Sequence, residues 1–282
     1  MLNIKIAISS DNHLDVNRIN IQEALTFQAN WLRQNKIDYY LYAGDLFNDF
    51  AKTNHYFNQL QQLIPNTKIY YVAGNHDLLN NISFVEAETL HSPLYLHNRF
   101  IDIPNSNWRI IGNSGWYDYS FSSYHDRTKE VQSWKNVFWL DSSIEQPISD
   151  QERVQRVLKQ VKHQLLLAKQ VQKRVILITH FAPRHELLAP KPQVVNTPRK
   201  EKIYQMVNAM MGSDRLGKMI EDSGIVRFVF YGHLHGIHPP LTRHNVTYLN
   251  QAVGVRNKRI NEWQENNFFK QWTATIRIIE LS

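Results

Sequence analysis

Short β-rich runs alternate with helical stripes along the first half of the chain. Strands are predicted at 3–9, 38–43 and 68–73, with helices near 21–35 and 53–64 between them. Asn20 and Glu23 form an N-cap and capping pair, and Ala24, Leu25, Gln28, Trp31 and Leu32 follow at helical spacing. This alternation predicts parallel βαβ units. Strands are expected next at 94–97, 99–103 and 108–113. A long helix follows the capping box that runs from Ser149 to Glu152, with Val154, Val157, Leu158, Val161, Leu165 and Ala168 on one stripe. A strand at 174–179, a helix near 200–222, a strand at 226–231 and strands near 246–250 and 272–281 complete the pattern. The fold class is α/β, with a more antiparallel second half. Two segments, 114–148 and 181–200, carry loop signals without a clear period, and long loops of that kind tend to be functional.

Composition narrows the class. The chain has 282 residues, 43 % of them hydrophobic and 20 % charged, which suits a single soluble domain over 1–282. No apolar run approaches the ~20 residues of a membrane span, and the first residues read as a strand rather than a leader. With no cysteine, disulfides and thiolate metal sites are excluded, and a cytoplasmic location is the expectation. The charge balance, 32 Lys+Arg against 25 Asp+Glu, favours acidic ligands in general. The basic residues are scattered, however. The densest groups, around Arg199–Lys202, Arg256–Arg259 and Arg153–Lys162, read first as solvated faces and second as contacts to substrate or nucleic acid.

The candidate chemistry sits at strand ends. Asp11-Asn12-His13, Gly44-Asp45, Gly74-Asn75-His76-Asp77, Thr179-His180 and Gly232-His233-Leu234-His235 each follow a predicted strand. Ligands in α/β sheets collect beyond the carboxyl ends of strands, so these loops can converge. Carboxylates and imidazoles without thiolate suit Mn, Fe, Zn, Co or Ni, and a carboxylate can bridge two such ions. Taken singly, each motif is an ordinary loop sequence; the ordered set is not.

That ordered set resembles the calcineurin-like metallophosphoesterase superfamily, marked by D-x-H, G-D, G-N-H-[D/E], a lone His and G-H-x-H. The resemblance runs from residue 11 to residue 235. It implies two facing mixed β-sheets flanked by helices in four layers. It also implies two divalent metal ions, one held by Asp11, His13, Asp45 and His235, the other by Asp45, Asn75, His180 and His233. His76 would then protonate the leaving oxygen or stabilise the phosphoryl charge, while a hydroxide shared by the ions attacks in line. The implied activity is hydrolysis of phosphoric esters, with a small-molecule phosphodiesterase or phosphatase preferred. A repair-type nuclease is the alternative, and a scaffold without catalysis comes third. Nucleic acid is thus an open but less favoured partner, and no membrane partner is expected.

Departures from the pattern narrow the branch. Asn48 stands where many members carry a second Asp that orients the catalytic His, so it is assigned a catalytic support role. Asp49 occupies the position of the phosphoprotein-phosphatase Arg, and the Tyr ligand of purple acid phosphatases is missing. With few cations beyond the metals, the site is expected to suit diesters. Arg184 is the nearest candidate for a phosphate contact, with a surface role as the alternative. The aromatic stretch Ser114–Phe121 is a candidate for substrate recognition, against the alternative that it packs the insert onto the sheet. Trp134, Phe138 and Trp139 read as a small satellite core, Asp77 as a turn or cap residue, and His185 and His238 first as surface or structural residues and second as residues at the mouth of the site.

Overall fold

The computed structural model describes residues 4–281. Three parallel strands, β1 (Ile4–Ser9), β2 (Tyr39–Ala43) and β3 (Lys68–Val72), form one sheet, and β10 (Arg277–Leu281) joins it antiparallel to β1, giving the order β10-β1-β2-β3. In the second sheet β5 (Trp108–Gly112), β6 (Arg174–Thr179), β7 (Val226–Tyr231) and β9 (Val246–Asn250) run parallel. Its edges are the antiparallel strands β4 (Arg99–Asp102) and β8 (Leu241–Arg243). Both are mixed sheets, as expected.

Alternation along the strands explains why the sheets face each other. Ile6 and Ile8 of β1, Leu41 of β2 and Ile176 and Ile178 of β6 meet in a core between the sheets. Their neighbours Ala7, Tyr40, Tyr42, Val175 and Leu177 point the other way, into cores closed by helices. A strand covered on both faces needs apolar residues at consecutive positions, which is why these runs are continuous rather than alternating. The flanking helices are α1 (Ile21–Gln34), α2 (Phe50–Leu63), α3 (Phe84–Thr89), α4 (Thr128–Phe138), α5 (Asp150–Gln170), α6 (Pro198–Ala209), α7 (Asp214–Ser223) and α8 (Phe268–Thr275). The capping box of α5 is as read from the sequence, with Ser149 and Glu152 capping reciprocally, whereas in α1 Asn20 accepts from the Glu23 amide without a reciprocal bond from the Glu23 side chain. No helix among the described residues is long and apolar enough to cross a membrane.

Several elements differ from expectation. Residue 3, expected to open the first strand, lies outside the described residues. The stretch 94–97 is not a strand; it contributes only single bridges, Tyr71–Tyr95 and His97–Gly112, and buries Leu96 in the core between the sheets and Leu94 and Tyr95 in the helix-covered core. The helix expected over 200–222 breaks into α6 and α7, because Gly212 pairs with Ala182 as an isolated bridge. A Cβ at Gly212 would overlap the Ala182 carbonyl. The strand expected at 272–281 starts as the end of α8, where Trp272 buries its ring against Trp31 and Tyr40, and extends only from Arg277. Tertiary packing overrides local propensity there. The sequence pattern predicts neither α3 nor β8, and α4 falls in the 114–148 segment that reads as loop.

The 114–148 segment is an ordered insert. Trp116, Tyr117 and Tyr119 are fully buried, so the aromatic stretch packs the insert rather than facing a substrate. Trp134 does pack against Phe138 and Trp139 with tilted rings, though Phe138 itself is mostly exposed. At the centre of the insert lies a buried ion pair. Lys135 Nζ reaches the two Asp150 oxygens at 2.7 and 3.0 Å, and the same carboxylate accepts from Trp116 Nε1 at 2.7 Å and Gln146 Nε2 at 2.9 Å. Tyr119 supplies a further hydroxyl donor at 2.5 Å. Removing the cation would strand a buried carboxylate. Lys135→Met is therefore expected to lower stability by about 3–5 kcal/mol in denaturant titrations; a loss under about 1 kcal/mol would mean the pair is dispensable.

Candidate metal centre

Five strand ends, three from one sheet and two from the other, deliver their loops to one place. Asp11 and His13 leave β1, Asp45 leaves β2, Asn75 and His76 leave β3, His180 leaves β6, and His233 and His235 leave β7. Four of these residues, Asp11 (φ 55°), His13 (φ 42°), Asp45 (φ 64°) and His233 (φ 64°), hold left-handed backbone that ordinary side chains rarely adopt. Such outliers persist only where surrounding structure enforces them, and they collect at functional sites.

The enforcement is visible. The Asp77 carboxylate, fully buried, accepts from the amides of Asp45 (2.7 Å), Gly74 (2.9 Å), Leu46 (3.1 Å) and Phe47 (3.2 Å) and from the Thr53 hydroxyl (2.6 Å). The Asp11 amide bonds the Gly44 carbonyl, and the His13 amide bonds that of Asp45. Gly44 (φ 95°) takes a conformation suited to glycine, and a Cβ there would lie 2.5 Å from His180 Nδ1.

Two groups of donors form around Asp45. In one, His13 Nε2 lies 3.1 Å from His235 Nε2, and His235 Nε2 lies 3.3 Å from Asp11 Oδ1. In the other, His180 Nε2 and His233 Nδ1 approach Asn75 Oδ1 at 2.9 and 3.1 Å. Asp45 Oδ2 stands between the groups, 3.7 Å from His13 Nε2 and 3.3 Å from His180 Nε2. The donor atoms of Asp11, His13 and His235, and those of Asp45, His180 and His233, each lie within 4.8 Å of one another.

Outer partners aim these donors. His180 Nδ1 is tied to the Ala43 carbonyl at 2.9 Å and His235 Nδ1 to Glu262 Oε2 at 2.7 Å, so both rings present Nε2 inward. Asn75 Nδ2 donates to Asp141 Oδ1 at 2.8 Å, which turns its amide oxygen toward the imidazoles. Partners of this kind set tautomer and ring orientation in metal sites. Asp11 Oδ2, His13 Nδ1 and His233 Nε2 are buried with no hydrogen-bond partner. A polar atom left without a partner is costly to bury, so the cluster is suited to a cation. The set of carboxylate, imidazole and amide oxygen fits a pair of borderline divalent ions.

The electrostatics before any cation binds point the same way. Burial works against ionisation of Asp45, but His180, His76 and His13 outweigh it and hold the carboxyl well below the usual range. Burial opposes protonation of His180 and His235 too. Asp45 nevertheless pushes His180 up to about 9, and Asp11 and Glu262 push His235 up to about 10. Burial and the His180 charge push His233 down to about 3, and burial with His76 holds His13 well below the usual imidazole range.

The calcineurin-like phosphoesterase family model matches residues 4–236. The chain belongs to that family. It is a metal-dependent hydrolase, and the family typically uses a dinuclear divalent metal centre. Among solved structures, phosphopantetheinyl hydrolase from Mycobacterium tuberculosis superposes with a TM-score of 0.66 at 14 % identity, over 98 % of this chain and 96 % of that one. A dimetal phosphatase from Danio rerio superposes with a TM-score of 0.52 at 12 % identity, over 88 % and 87 % of the two chains. No curated protein matches the sequence.

Within this phosphoesterase the seven candidate ligands and His76 come together, and Asn48 Oδ1 lies 2.6 Å from His76 Nδ1. Other candidates do not join them. The Arg184 side chain is buried against Glu221 (3.4 Å) and Glu186 (3.5 Å), with Asp214 at 4.0 Å, so it is not free for a phosphate. His238 is buried, with its ring nitrogens at the Leu187 and His235 carbonyls, and exposed His185 pairs with Asp214. Asp77 is more than a turn residue, for the reasons above. Glu262 and Asp141 went unrecognised in the sequence. Each acts through a single hydrogen bond to a candidate ligand, and neither lies in a motif.

The protonation pattern has a measurable consequence. At pH 7, His180 and His235 carry protons that a metal must displace, whereas His13 and His233 do not. Loading with Mn or Zn should therefore release roughly two protons per chain near neutrality, and affinity should rise as pH increases toward 9. Calorimetry in buffers of different ionisation enthalpy measures this directly; loading without proton release would contradict it.

Proposed function

We propose that the chain is a cytoplasmic phosphoric-ester hydrolase acting on a small phosphorylated substrate, with phosphodiesters favoured over monoesters. Asp11, His13, Asp45 and His235 hold one divalent ion, and Asp45, Asn75, His180 and His233 hold the other. The observation that carries this reading is the position of Asp45 Oδ2, within 4 Å of an imidazole from each donor group. When bound, such a pair supplies a nucleophile at neutral pH and draws charge from the phosphoryl group.

The protein's own contribution centres on His76. Its amide donates to Asp45 Oδ1 at 2.9 Å, and its ring stands edge-on to His13 with centroids 4.6 Å apart. Asn48 Oδ1 accepts from Nδ1, so Nε2 is left to meet the leaving oxygen; with both nitrogens protonated the ring hands over the Nε2 proton and keeps the one bonded to Asn48. An amide orients the ring but adds no charge to favour its protonated form, unlike a carboxylate at the same place.

The diester preference follows from charge. A monoester carries nearly two negative charges at neutral pH and a diester one, and Arg184, the expected extra cation, is committed to carboxylates.

Bis-nitrophenyl phosphate should be hydrolysed with a higher kcat/KM than mononitrophenyl phosphate by the metal-loaded protein. The opposite order removes the diester preference, and inactivity on both removes the hydrolase reading. His76→Asn should keep its metal while losing ~10²–10⁴-fold in turnover on alkyl esters, and less on nitrophenyl esters, whose leaving group barely needs a proton. Asn48→Asp should shift the alkaline limb of the pH–rate profile upward. An unchanged profile would reduce Asn48 to a structural role.

A further inference from the structure

A groove of about 400 Å³ opens between the turn carrying Val16, Asn17 and Arg18 and the segment Arg256-Asn257-Lys258-Arg259. That segment is a short hairpin. Arg256 and Asn261 form an antiparallel bridge, and Asn257 Oδ1 accepts from the Arg259 and Ile260 amides at 2.8 and 3.0 Å. It lies beyond residue 236, where the family match ends.

Both walls are braced to the strand-end loops. Asn17 Nδ2 donates to the carbonyls of Asn12 (2.8 Å) and Gly254 (3.0 Å), and Asn17 Oδ1 accepts from the Arg256 amide at 2.8 Å. Glu262 Oε2, which accepts from His235, also accepts from the Val255 amide at the hairpin's base, both at 2.7 Å. The contacts to Asn12 and through Glu262 join the groove to loops of the donor cluster, and those of Asn17 to Gly254 and Arg256 hold its two walls together.

The charge in the groove is one-sided. Arg256 is occupied: its guanidinium bonds the Asn266 carbonyl at 2.6 Å and rests over Trp263. The side chains of Arg18, Lys258 and Arg259 are exposed, and none has an ion-pair partner among the described residues. The nearby carboxylates are already engaged, Asp15 with the Asn48 and Val16 amides and Glu262 as described. Cations left unpaired on the walls of a concave surface concentrate anions there.

We infer that this groove is an anion subsite for a second phosphate of the substrate, which makes the favoured class a phosphodiester bearing a further phosphate. The inference deepens the hydrolase reading above and is tested by binding as well as by turnover. Two nitrophenyl esters of thymidine 5′-phosphate, one plain and one carrying a 3′-phosphate, share a leaving group and differ only in the second anion. The 3′-phosphate should raise kcat/KM roughly tenfold, mainly through KM, as for a charge-assisted contact. The gain should shrink with salt. The combined Arg18→Gln, Lys258→Gln, Arg259→Gln variant should lose that gain and leave the plain ester unaffected. A control variant with Lys159, Lys162 and Lys169 of α5 changed to Gln should keep it. Calorimetry with thymidine 3′,5′-bisphosphate and thymidine 5′-phosphate reads the subsite without catalysis. Equal affinities in the wild type, or a bisphosphate affinity that the triple variant leaves unchanged, would overturn the subsite. A binding difference without hydrolysis of either ester would keep the subsite and remove the hydrolase reading. A short thymidylate strand that depends on the three cations more than the bisphosphate does would support the subsite and assign its phosphate to a nucleic-acid backbone.

Discussion

The buried carboxylate of Asp77 is the constraint on which the centre depends. Gly44 and Asp45 both lie in left-handed backbone, and a turn of that kind points successive amides inward, where an anion satisfies them. Asp77 is that anion, and it ties the loops after β2 and β3 to Thr53 of α2. The cost is visible in its own ionisation: burial and the neighbouring Asp45 charge push Asp77 up to about 6 despite its donors. A cation at Asp45 would relieve part of that cost. The internal carboxylate thus sets the shape of the loop, and the loop presents the outer carboxylate between the two histidine groups.

Much of this was legible in the sequence, for a definite reason. The candidate donors follow apolar runs at the strand ends, and runs such as Ile6–Ile8 and Val175–Ile178 are apolar throughout because both faces are covered. The motif residues then stand out by position as well as by type. The elements that misled were those whose state is decided by distant partners. Leu94–Leu96 looks like a strand because it is buried, yet it bridges the sheets without extending either. Trp272 looks like strand sequence because it is aromatic, yet its ring is held by α1 and β2.

The outer carboxylates were not legible. Glu262 lies 27 residues beyond His235, and Asp141 lies 66 beyond Asn75 in an insert that reads as a loop. A residue that acts through one hydrogen bond needs no fixed spacing and leaves no periodic trace. The insert's aromatic residues also changed meaning on folding. Trp116 and Tyr119 bond Asp150, and the same insert carries the Asp141 that accepts from Asn75, so the insert braces the centre from behind.

The position of β1 has a consequence for how the chain is made. β1 is an interior strand, flanked by β2 on one side and by β10 on the other. Its second neighbour lies far downstream in the sequence and leaves the ribosome long after β1 does. Until Arg277–Leu281 emerges, β1 carries an open hydrogen-bonding edge directly beneath Asp11 and His13. An open edge next to exposed apolar faces is a template for pairing between nascent chains. A chain truncated just before β10 would hold every residue of the centre and yet leave one edge of β1 unprotected.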